Sequence, residues 1–528
     1  MAAIVALVLA VALAACSGSS EITSSSSEAE ETSLDVIVPV HGDVLEPTRL
    51  SVNGLASLLL GAEPLVRYSS GGELTPALAA SVEEPDPTTY VFTIREDVTF
   101  WDGTPLSPDD VVFSFGLHAD PDSESLHAPF WLGVEAIEAT GDNEVTVTLT
   151  QPNSAFLYTV AQTPILSEAF YAEHGDAVGT PDVLNMGTGP YEFVSFRPSS
   201  ETVLEANDDY WGGEPPWDRL TLSTINDDSA RLNAVQSGEY DVVYNIPIAQ
   251  YDAFAGVDGL TIAEASDLLV YKFNFDTTQP PFDDVHLRRA FMHAVDREDI
   301  VAGALGGQAR LAPAVVPPEI LSSGGEEAAV EETFAALEED LAFDLDAARE
   351  ELAQSSSPDG VEVELLTIAS DPNLSLIAQT AAQTLAEIGI TLTISQVDDN
   401  TYYEAVYFTH QVDGVSLDGF SGPDPAPITM PRYSLSSAFG LPKGGQGSNI
   451  ADYDNPQVDA LLEQATMLPA DDPQAIGLIL ESLEAAQADA PYVPIAYPQV
   501  YAGAREGLTI EAFDTFWWMA DWPSEVSG

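Results

Sequence analysis

Alternating apolar and polar positions mark several short strands along the chain. The first lies at 34–38, and two more are predicted at Thr89–Ile94 and Glu144–Leu149, where bulky apolar residues alternate mainly with Thr and Glu. A period of two residues is typical of strands that bury one face and expose the other. The pattern therefore predicts half-buried β-strands, and folded structure that begins near residue 34.

Apolar residues spaced three or four positions apart predict amphipathic helices between these strands. The clearest start signal is Ser107-Pro108, an N-cap serine and a first-turn proline, followed by Asp109 and Asp110. Further helices are predicted at 229–237, 285–302, 346–353, 374–388, 456–465 and 476–488. Strand and helix patterns mix without a simple alternation, so the predicted fold class is α/β with mixed sheets.

An uncharged apolar run precedes the first strand. Residues 2–15 are all Ala, Val, Leu or Ile, and the run ends at Cys16, the only cysteine in the chain. About 14 residues is short for a membrane span but suits the core of a signal peptide. The small residues before Cys16 resemble a bacterial lipobox. We therefore predict a signal peptide at 1–15, and a lipidated Cys16 with a Ser/Glu-rich tether at 16–33. The protein is expected on the outer face of the cytoplasmic membrane.

The composition of the chain further limits the kinds of molecule that it is expected to bind. The 528 residues include 86 acidic and 15 basic ones, a formal net charge of −71, and lysine occurs only at Lys272 and Lys443. Such a chain repels nucleic acid and anionic lipid, so contact with the membrane is expected through the lipid anchor only. The acidity would suit either the binding of a cationic ligand or a saline medium. In a saline medium, dissolved salt screens the repulsion between the negative charges of the chain. Because the acidic residues are spread along the whole chain, the saline interpretation is favoured.

One segment, 90–114, resembles a known family, and further matching motifs follow in the family's order. They lie at 187–191, 207–211, 231–241, 280–291, 295–297 and 491–495, with Asn449, Tyr453 and Asp459 among them. Together they resemble the peptide/nickel class of extracellular solute-binding proteins that serve ABC importers. The resemblance implies a non-enzymatic, monomeric receptor that passes a small solute, first of all an oligopeptide, to a permease and ATPase complex. It implies no cofactor.

The resemblance also implies a two-lobe periplasmic-binding-protein-like fold with a cleft between the lobes. Lobe I would comprise 34–45, 183–266 and 492–526, with an inserted subdomain at 46–182, and lobe II would cover 267–491. The chain would cross between lobes near 268–274 and near 492–497, which makes a two-strand hinge. Opening and closing about such a hinge would be a shift between two existing states.

Peptide-binding relatives hold the peptide's ammonium with a carboxylate in a pattern close to Trp-x-x-Asp-Tyr-x-Asp-Pro. The matching stretch here runs from Asp418 to Pro425, and it places Ser421 at the amine-binding position. Either Asp418 or Asp413 supplies the missing charge, or the solute has no such amine.

Other residues are candidates for the cleft by their position in the family pattern. Aromatic rings and amides suit a wet, adaptable binding cleft, although each aromatic is equally compatible with core packing. The ligand-binding candidates are Val38, Phe130, Trp131, Tyr244, Asn245, Tyr271, Asn274, Asp418, Ser421 and Tyr497. Trp517, Trp518 and Trp522 are predicted to be packing anchors for the C-terminus.

Three alternatives stay open at this point. The same receptor fold also serves sugar oligomers, other organic solutes and metal chelates. Direct metal ligation is not predicted, because the seven histidines show no HxH or HExxH spacing. The second alternative is an exported hydrolase, which would be an enzyme and not a receptor. The chain has no Gly-x-Ser-x-Gly elbow and no cysteine nucleophile. A purely structural surface lipoprotein is the third.

Overall fold

The structure is a computed structural model that describes residues 32–39, 42–50, 54–69, 73–120, 123, 125–322, 325–412, 414–422, 424–441, 447–514 and 517–528. The predicted signal peptide, the lipidation site Cys16, nearly all of the tether, and Asp413 lie outside these residues. None of the helices within the described ranges is long and apolar enough to cross a membrane.

The strands are numbered in chain order. They are β1 Ser33–Ile37, β2 Val66–Tyr68, β3 Leu74–Pro76, β4 Ala79–Asp86, β5 Thr89–Ile94, β6 Val134–Gly141, β7 Glu144–Leu149, β8 Tyr191–Arg197, β9 Glu201–Ala206, β10 Arg219–Ser223, β11 Val242–Tyr244, β12 Leu260–Ser266, β13 Val270–Phe275, β14 Ala309–Leu311, β15 Val361–Ile368, β16 Ile390–Val397, β17 Gly414–Phe420, β18 Tyr492–Arg505, β19 Thr509–Ile510 and β20 Val526–Ser527. The strands predicted at Thr89–Ile94 and Glu144–Leu149 are confirmed with the same bounds.

The helices are numbered in the same way. They are α1 Leu55–Leu58, α2 Pro108–Ala119, α3 Phe156–Ala161, α4 Glu168–His174, α5 Asp228–Ser237, α6 Tyr251–Ala255, α7 Val285–Ala294, α8 Arg297–Asp299, α9 Pro318–Leu321, α10 Glu327–Asp340, α11 Leu345–Gln354, α12 Pro372–Ala386, α13 Asp399–Tyr403, α14 Thr429–Leu435, α15 Pro456–Thr466 and α16 Pro473–Gln487. The continuous helix predicted at 285–302 is wrong, because Val295 and Asp296 leave helical geometry. The Asp296 side chain instead caps α8 by accepting a hydrogen bond from the Asp299 N–H.

The start of α2 follows the sequence signal closely. The Ser107 side chain accepts from the Asp110 N–H, and the Asp110 carboxylate accepts from the Ser107 N–H at 3.0 Å. This reciprocal pair is a capping box that satisfies two free backbone donors.

Removal of this cap should have a small, measurable cost. Ser107→Ala is expected to lower the free energy of unfolding by about 1 kcal/mol, as at other serine N-caps. Denaturant unfolding would measure it, and Ser107→Asn, which retains a good capping side chain, should stay close to the native value. Equal stability of all three proteins would contradict this account of the helix start.

One large sheet contains strands from both of the predicted lobes. Its strand order is β16-β15-β17-β13-β18-β11-β1-β10-β9-β8, and β12 and β14 also pair with β18. The fourteen-residue strand β18 pairs through its first half with β13 and β14 of lobe II, and through its second half with β12 and β11 of lobe I. The other predicted crossing, near 268–274, comprises the end of the segment 267–269 between β12 and β13 and most of β13 itself. The Asp267 N–H donates to the Pro498 carbonyl at 3.0 Å, so the two crossings lie side by side.

The inserted subdomain has its own sheet and core. Its four strands run antiparallel in the order β4-β5-β7-β6. The buried side of this sheet packs with α2 and α3 around Phe92, Phe115, Trp131 and Phe156. Burial of aromatic side chains is the largest apolar contribution available to so small a unit. This core holds the turn at 128–131 and helix α3 in place.

Candidate functional site

A cavity of about 240 Å³ lies between residues 129–159, in the predicted inserted subdomain, and residues 424–439, in the predicted lobe II. Its walls combine aromatic rings with amide, hydroxyl and charged groups, the composition expected of a small-molecule site. Its lining residues are Pro129, Phe130, Leu132, Gly133, Gln151, Asn153, Ala155, Thr159, Asp424, Ile428, Thr429, Arg432, Tyr433 and Phe439.

The inserted-subdomain wall is fixed by aromatic packing. Trp131 ends the 3₁₀ turn Ala128–Trp131, and its ring lies 4.7 Å from Phe115 and 5.8 Å from Phe156, between centroids. That packing leaves the preceding residue, Phe130, half-buried on the cavity wall. Trp131 is only 2% exposed, and its Nε1–H has no hydrogen-bond partner among the described residues. It lines a small adjoining space together with Asp424 and Gln162.

Asp424 is the carboxylate that lobe II presents to the cavity. Its Oδ1 accepts from the Ala426 N–H at 2.9 Å and from the Thr429 hydroxyl at 2.6 Å. Within the described ranges both hydrogen bonds fall on Oδ1, so Oδ2 remains available to another donor. Burial raises the pKa of Asp424 to about 6, against the lowering effect of these two hydrogen bonds. A carboxylate with a raised pKa in a cleft is a functional-site candidate.

Arg432 is the cationic group of the same cavity. It lies in α14, and its guanidinium carbon is 5.2 Å from the centroid of the Phe439 ring. In the part of the chain that the structure describes, it donates no hydrogen bond and forms no ion pair, with Asp424 or any other carboxylate. Burial lowers the pKa of Arg432, with Tyr433 and Glu463 acting in the opposite direction.

A larger groove of about 700 Å³ adjoins the cavity at Asn153, which lines both. Its inserted-subdomain side carries Glu84, and its lobe II side is the segment 466–471, which ends at Asp471. Burial raises the pKa of Glu84, and the facing charge of Asp471 adds to the effect. The outer part of the cleft is therefore strongly acidic.

Of the sequence-predicted candidates, Phe130 lines this cavity and Trp131 lines the small adjoining space. Ser421 is exposed in the loop that leads from β17 to Asp424. The remaining candidates are not among the residues that line the cavity.

The lobe I candidates lie in or beside the core. Val38 is 2% exposed, and the Tyr244 ring stacks on Trp517 at 3.9 Å with Trp522 against its edge. Asn245 follows with a φ of 53°, and its carbonyl accepts from Arg231. The contacts of Trp517 and Trp522 confirm their prediction as packing anchors.

The candidates at the predicted crossings, Tyr271 and Tyr497, form hydrogen bonds with nearby residues of the protein. The Tyr271 hydroxyl lies 3.3 Å from the Asp371 carboxylate and 3.1 Å from the Asn373 amide. The Tyr497 hydroxyl lies 2.8 Å from the carbonyls of Ala314 and Val316.

Asp418 and Asn274 belong to a buried polar cluster on β13 and β17. The Asp418 carboxylate is 1% exposed and lies 3.4 Å from the Lys272 ammonium. It also accepts from the Asn274 amide at 3.1 Å and from the Tyr407 hydroxyl at 2.8 Å. Its charge therefore already has a partner within lobe II.

Sequence reasoning missed Asp424 and Arg432 as cavity residues. Asp424-Pro425 fits the end of the family pattern, and the chain departs from that pattern at Ser421. Arg432 could have been noticed as a lone basic residue between apolar neighbours in a chain with 15 basic residues in all.

Comparison with known proteins identifies the family and the fold of the chain. Residues 73–440 match the family described as bacterial extracellular solute-binding proteins, family 5. Over 468 residues the chain is 28% identical to heme-binding protein A of Haemophilus influenzae, covering 83% of this chain and 82% of that protein. It is 27% identical over 444 residues to a glutathione-binding protein of Salmonella typhi, with the same coverage.

Solved structures show the same fold. HbpA2 of Haemophilus parasuis superposes with a TM-score of 0.79 at 24% identity, over 94% of this chain and 99% of that one. DppA of Helicobacter pylori, solved with the peptide STSA, gives 0.75 at 22% identity over 94% and 98%.

The chain belongs to the family 5 bacterial extracellular solute-binding proteins. Members of this family are the solute-binding components of ABC importers and are not enzymes, which removes the hydrolase alternative. The prediction of a two-lobe α/β fold of this class is confirmed.

Proposed function

We propose that this protein captures a peptide in the cavity between the inserted subdomain and lobe II and delivers it to the permease and ATPase of an ABC importer. The observation that carries this proposal is the half-buried Asp424 carboxylate at the cavity wall. Ser421 has no charge to offer, and Asp418 is paired with Lys272. Asp424 therefore takes over the amine-binding role, three residues further along the same loop.

The chemistry favours a cationic group against Asp424. An ammonium that leaves water for an enclosed cleft is strongly disfavoured unless an opposite charge and hydrogen-bond acceptors receive it. The free Oδ2 of Asp424 supplies both. The phenol rings of Tyr68, Tyr158 and Tyr433 surround this carboxylate, and its charge raises the pKa of each of them further. No other cation neutralises it among the described residues.

Delivery to the permease requires that the receptor with bound solute differs in conformation from the empty receptor. The cavity is built from both sides of the cleft, so its full set of contacts exists only while the lobes are closed. A solute that binds both walls shifts the population toward the closed state about the crossings at 267–269 and β18.

We propose that the monomeric receptor stays at the membrane through lipid on Cys16 and the 17–33 tether, and that its acidity is an adaptation to salt.

The affinity for a peptide should depend on pH in a definite direction. Asp424, with a pKa of about 6, must be ionised to pair with an ammonium. The bound ammonium lowers that pKa, so binding releases a proton below about pH 6, and affinity falls as the pH drops, by about tenfold per unit at the steepest. Calorimetric titration between pH 4.5 and 8 would measure this. Asp424→Asn should give a nearly flat profile, and the same slope in this variant would contradict the assignment.

The identity of the solute is open to a direct test. Mass spectrometry of small molecules that co-purify with the protein should find peptides, and added peptide should raise the melting temperature and be recovered unchanged. If sugars or a metal chelate are recovered instead, the assignment of a peptide as the solute is wrong, while the role of the protein as a receptor is retained.

A further inference from the structure

The indole N–H of Trp131 is a buried donor that lacks an acceptor. The side chain is 2% exposed, and within the described residues no group accepts a hydrogen bond from Nε1. Other tryptophans of the chain do find acceptors. The Trp101 indole donates to the Gly189 carbonyl at 3.2 Å, and the Trp211 indole donates to the Glu63 carboxylate at 2.9 Å. Buried donors in native proteins are almost always satisfied by the protein or by ordered water, so the Trp131 donor indicates a bound group.

This donor borders a space of about 10 Å³ that lies between residues 127–163 and Asp424. A volume of roughly 10–15 Å³ is what one water molecule needs, so the space admits one water and no larger group. Thr163 also lines it. The Thr163 hydroxyl donates to the Thr159 carbonyl at 2.8 Å, which leaves its oxygen as an acceptor. The walls therefore offer one donor and two acceptors, and about three partners are usual for a buried water.

The chemistry of these walls also selects water over other small groups. The Trp131 indole requires an acceptor, and an ammonium has none to offer. A carboxylate has acceptors but would be repelled by the charge of Asp424. A water molecule can accept from the indole and donate to the carboxylate at the same time, so it satisfies both walls.

We propose that one water molecule bridges the Trp131 Nε1–H and the Asp424 carboxylate, so that Trp131 is a positioning residue for the group that binds the solute's ammonium. The bridge stands on the geometry of the space, whereas its effect on affinity rests on the proposed function. The water accepts from the indole, donates one hydrogen to Asp424 and donates the other to Thr163. Its hydrogen bond to the ionised carboxylate adds to those from the Ala426 N–H and the Thr429 hydroxyl, and all three favour the charged form.

Other ionisable groups surround the bridge and have to be separated from Asp424 in a titration. The groups that face Asp424 are Tyr68, Tyr158, Tyr433, Arg432 and His127. Next to the Trp131 ring, His118 is stacked with a centroid distance of 6.0 Å. Burial raises the pKa of the three tyrosines and lowers the pKa of both histidines, to about 3 for His118. A signal that comes from a histidine would persist in Asp424→Asn, whereas a signal that comes from Asp424 would disappear.

The first test observes the indole N–H directly, in the full mature protein alone and with trialanine. Nitrogen–proton correlation NMR of the seven tryptophans should give one indole resonance each, and the resonance missing from Trp131→Phe belongs to Trp131. We expect this resonance to shift as Asp424 titrates between about pH 4.5 and 8, and to stay constant in Asp424→Asn. A Trp131 resonance that ignores pH in the native protein, or that shifts equally in Asp424→Asn, would overturn the bridge.

A high-resolution crystal structure of the mature protein distinguishes a water bridge from a direct contact. It should show one water within hydrogen-bond distance of both the Trp131 Nε1 and an Asp424 carboxylate oxygen. A direct hydrogen bond between the two side chains, a solute atom in this space, or no ordered water there would each overturn the proposal. This measurement also decides the bridge if Trp131→Phe does not fold.

The second test measures what the bridge does for binding. Trp131→Phe retains an aromatic ring but removes the donor, so the pKa of Asp424 should rise by about one unit. Its affinity for trialanine, measured by calorimetric titration, should therefore fall about tenfold at pH 5 and less than about twofold at pH 8. The matched control is Trp522→Phe, since Trp522 is 1% exposed and its Nε1–H lies 3.5 Å from the Ala56 carbonyl, away from the cavity. This control should keep the native pH profile, and the melting temperature of each variant reports whether it is folded.

The outcomes separate this inference from the peptide assignment. An equal loss of affinity at pH 5 and pH 8 in Trp131→Phe would mean that Trp131 only packs the wall, and would overturn its positioning role. Failure of trialanine to bind the native protein at either pH would contradict the peptide assignment. In that case the indole resonance and the crystal structure would still decide whether the water bridge exists.

Discussion

Asp424→Asn is expected to weaken the binding of a peptide with a free amino terminus by at least about 30-fold, because removal of one partner of a buried, hydrogen-bonded charge pair costs about 2–5 kcal/mol. The amide keeps the size of the side chain, and its carbonyl can still accept from Ala426 and Thr429. The expected loss of affinity therefore comes from the missing charge and not from a change in the shape of the loop. Calorimetric titration with the peptide that co-purifies, at pH 7.5, measures the effect. A peptide acetylated at its amino terminus should bind the native protein and the variant with similar, weak affinity.

The matched control is Asp471→Asn. Asp471 is also a lobe II carboxylate, and it lines the larger groove rather than the cavity. The two variants change the net charge equally, so a difference between them cannot come from the long-range field of an acidic chain. Equal affinity of Asp424→Asn and the native protein for a free-amine peptide would remove Asp424 from the site.

Local signals in the sequence were sufficient for much of the fold. The capping serine at Ser107 and the alternation in β5 and β7 depend on neighbours within a few residues, and the structure reproduces them. Asp296 shows the limit of such signals. The apolar spacing continues through it, but its side chain bonds the backbone three residues ahead and divides the helix. Periodicity alone does not show which of these two local preferences prevails.

The site was less predictable because ligand contact and core packing use the same side chains. Tyr244 and Tyr497 are aromatic residues near the expected cleft, yet one stacks on Trp517 and the other bonds the carbonyls beside β14. Asp418 carries a negative charge within the matching motif, but its partner is Lys272, which lies opposite it on the neighbouring strand β13 and is 146 positions away in sequence. Such choices depend on tertiary pairing, which the sequence pattern does not contain.

The Lys272–Asp418 pair joins β13, which follows the segment 267–269, to its neighbour β17. In the β13–β17 register Lys272 lies opposite Asp418, and Asn274 lies opposite Ser416, so the polar side chains share one face. The ammonium also lies 5.0 Å from the centroid of the Phe420 ring and donates to the side-chain amide oxygen of Asn274. Burial lowers the pKa of Lys272, and the charge of Asp418 opposes that change. The pair therefore positions β13, most of which lies in the predicted crossing at 268–274.

Lys272→Met is expected to lower the free energy of unfolding by about 3–5 kcal/mol, because it leaves the Asp418 charge buried without a partner. Asp418 is 1% exposed, so water cannot take the place of the ammonium without opening the β13–β17 pairing. Asp418→Leu should cost a similar amount for the opposite reason, since it isolates the ammonium. The measurement is denaturant unfolding at pH 7, with peptide affinity of the folded protein followed separately. Affinity should fall much less than in Asp424→Asn.

The double variant Lys272→Met with Asp418→Leu separates charge pairing from packing. Replacement of both members of a buried pair by apolar side chains of similar size is often neutral or stabilising, so much of the loss seen in either single variant should be recovered. Tyr407 and Asn274 would then each lose a hydrogen-bond acceptor, which keeps the double variant somewhat below the native stability. Additive losses in the double variant would mean that the two side chains act independently. A loss of peptide binding in Asp418→Leu as large as in Asp424→Asn, with the fold intact, would return the amine-binding role to Asp418.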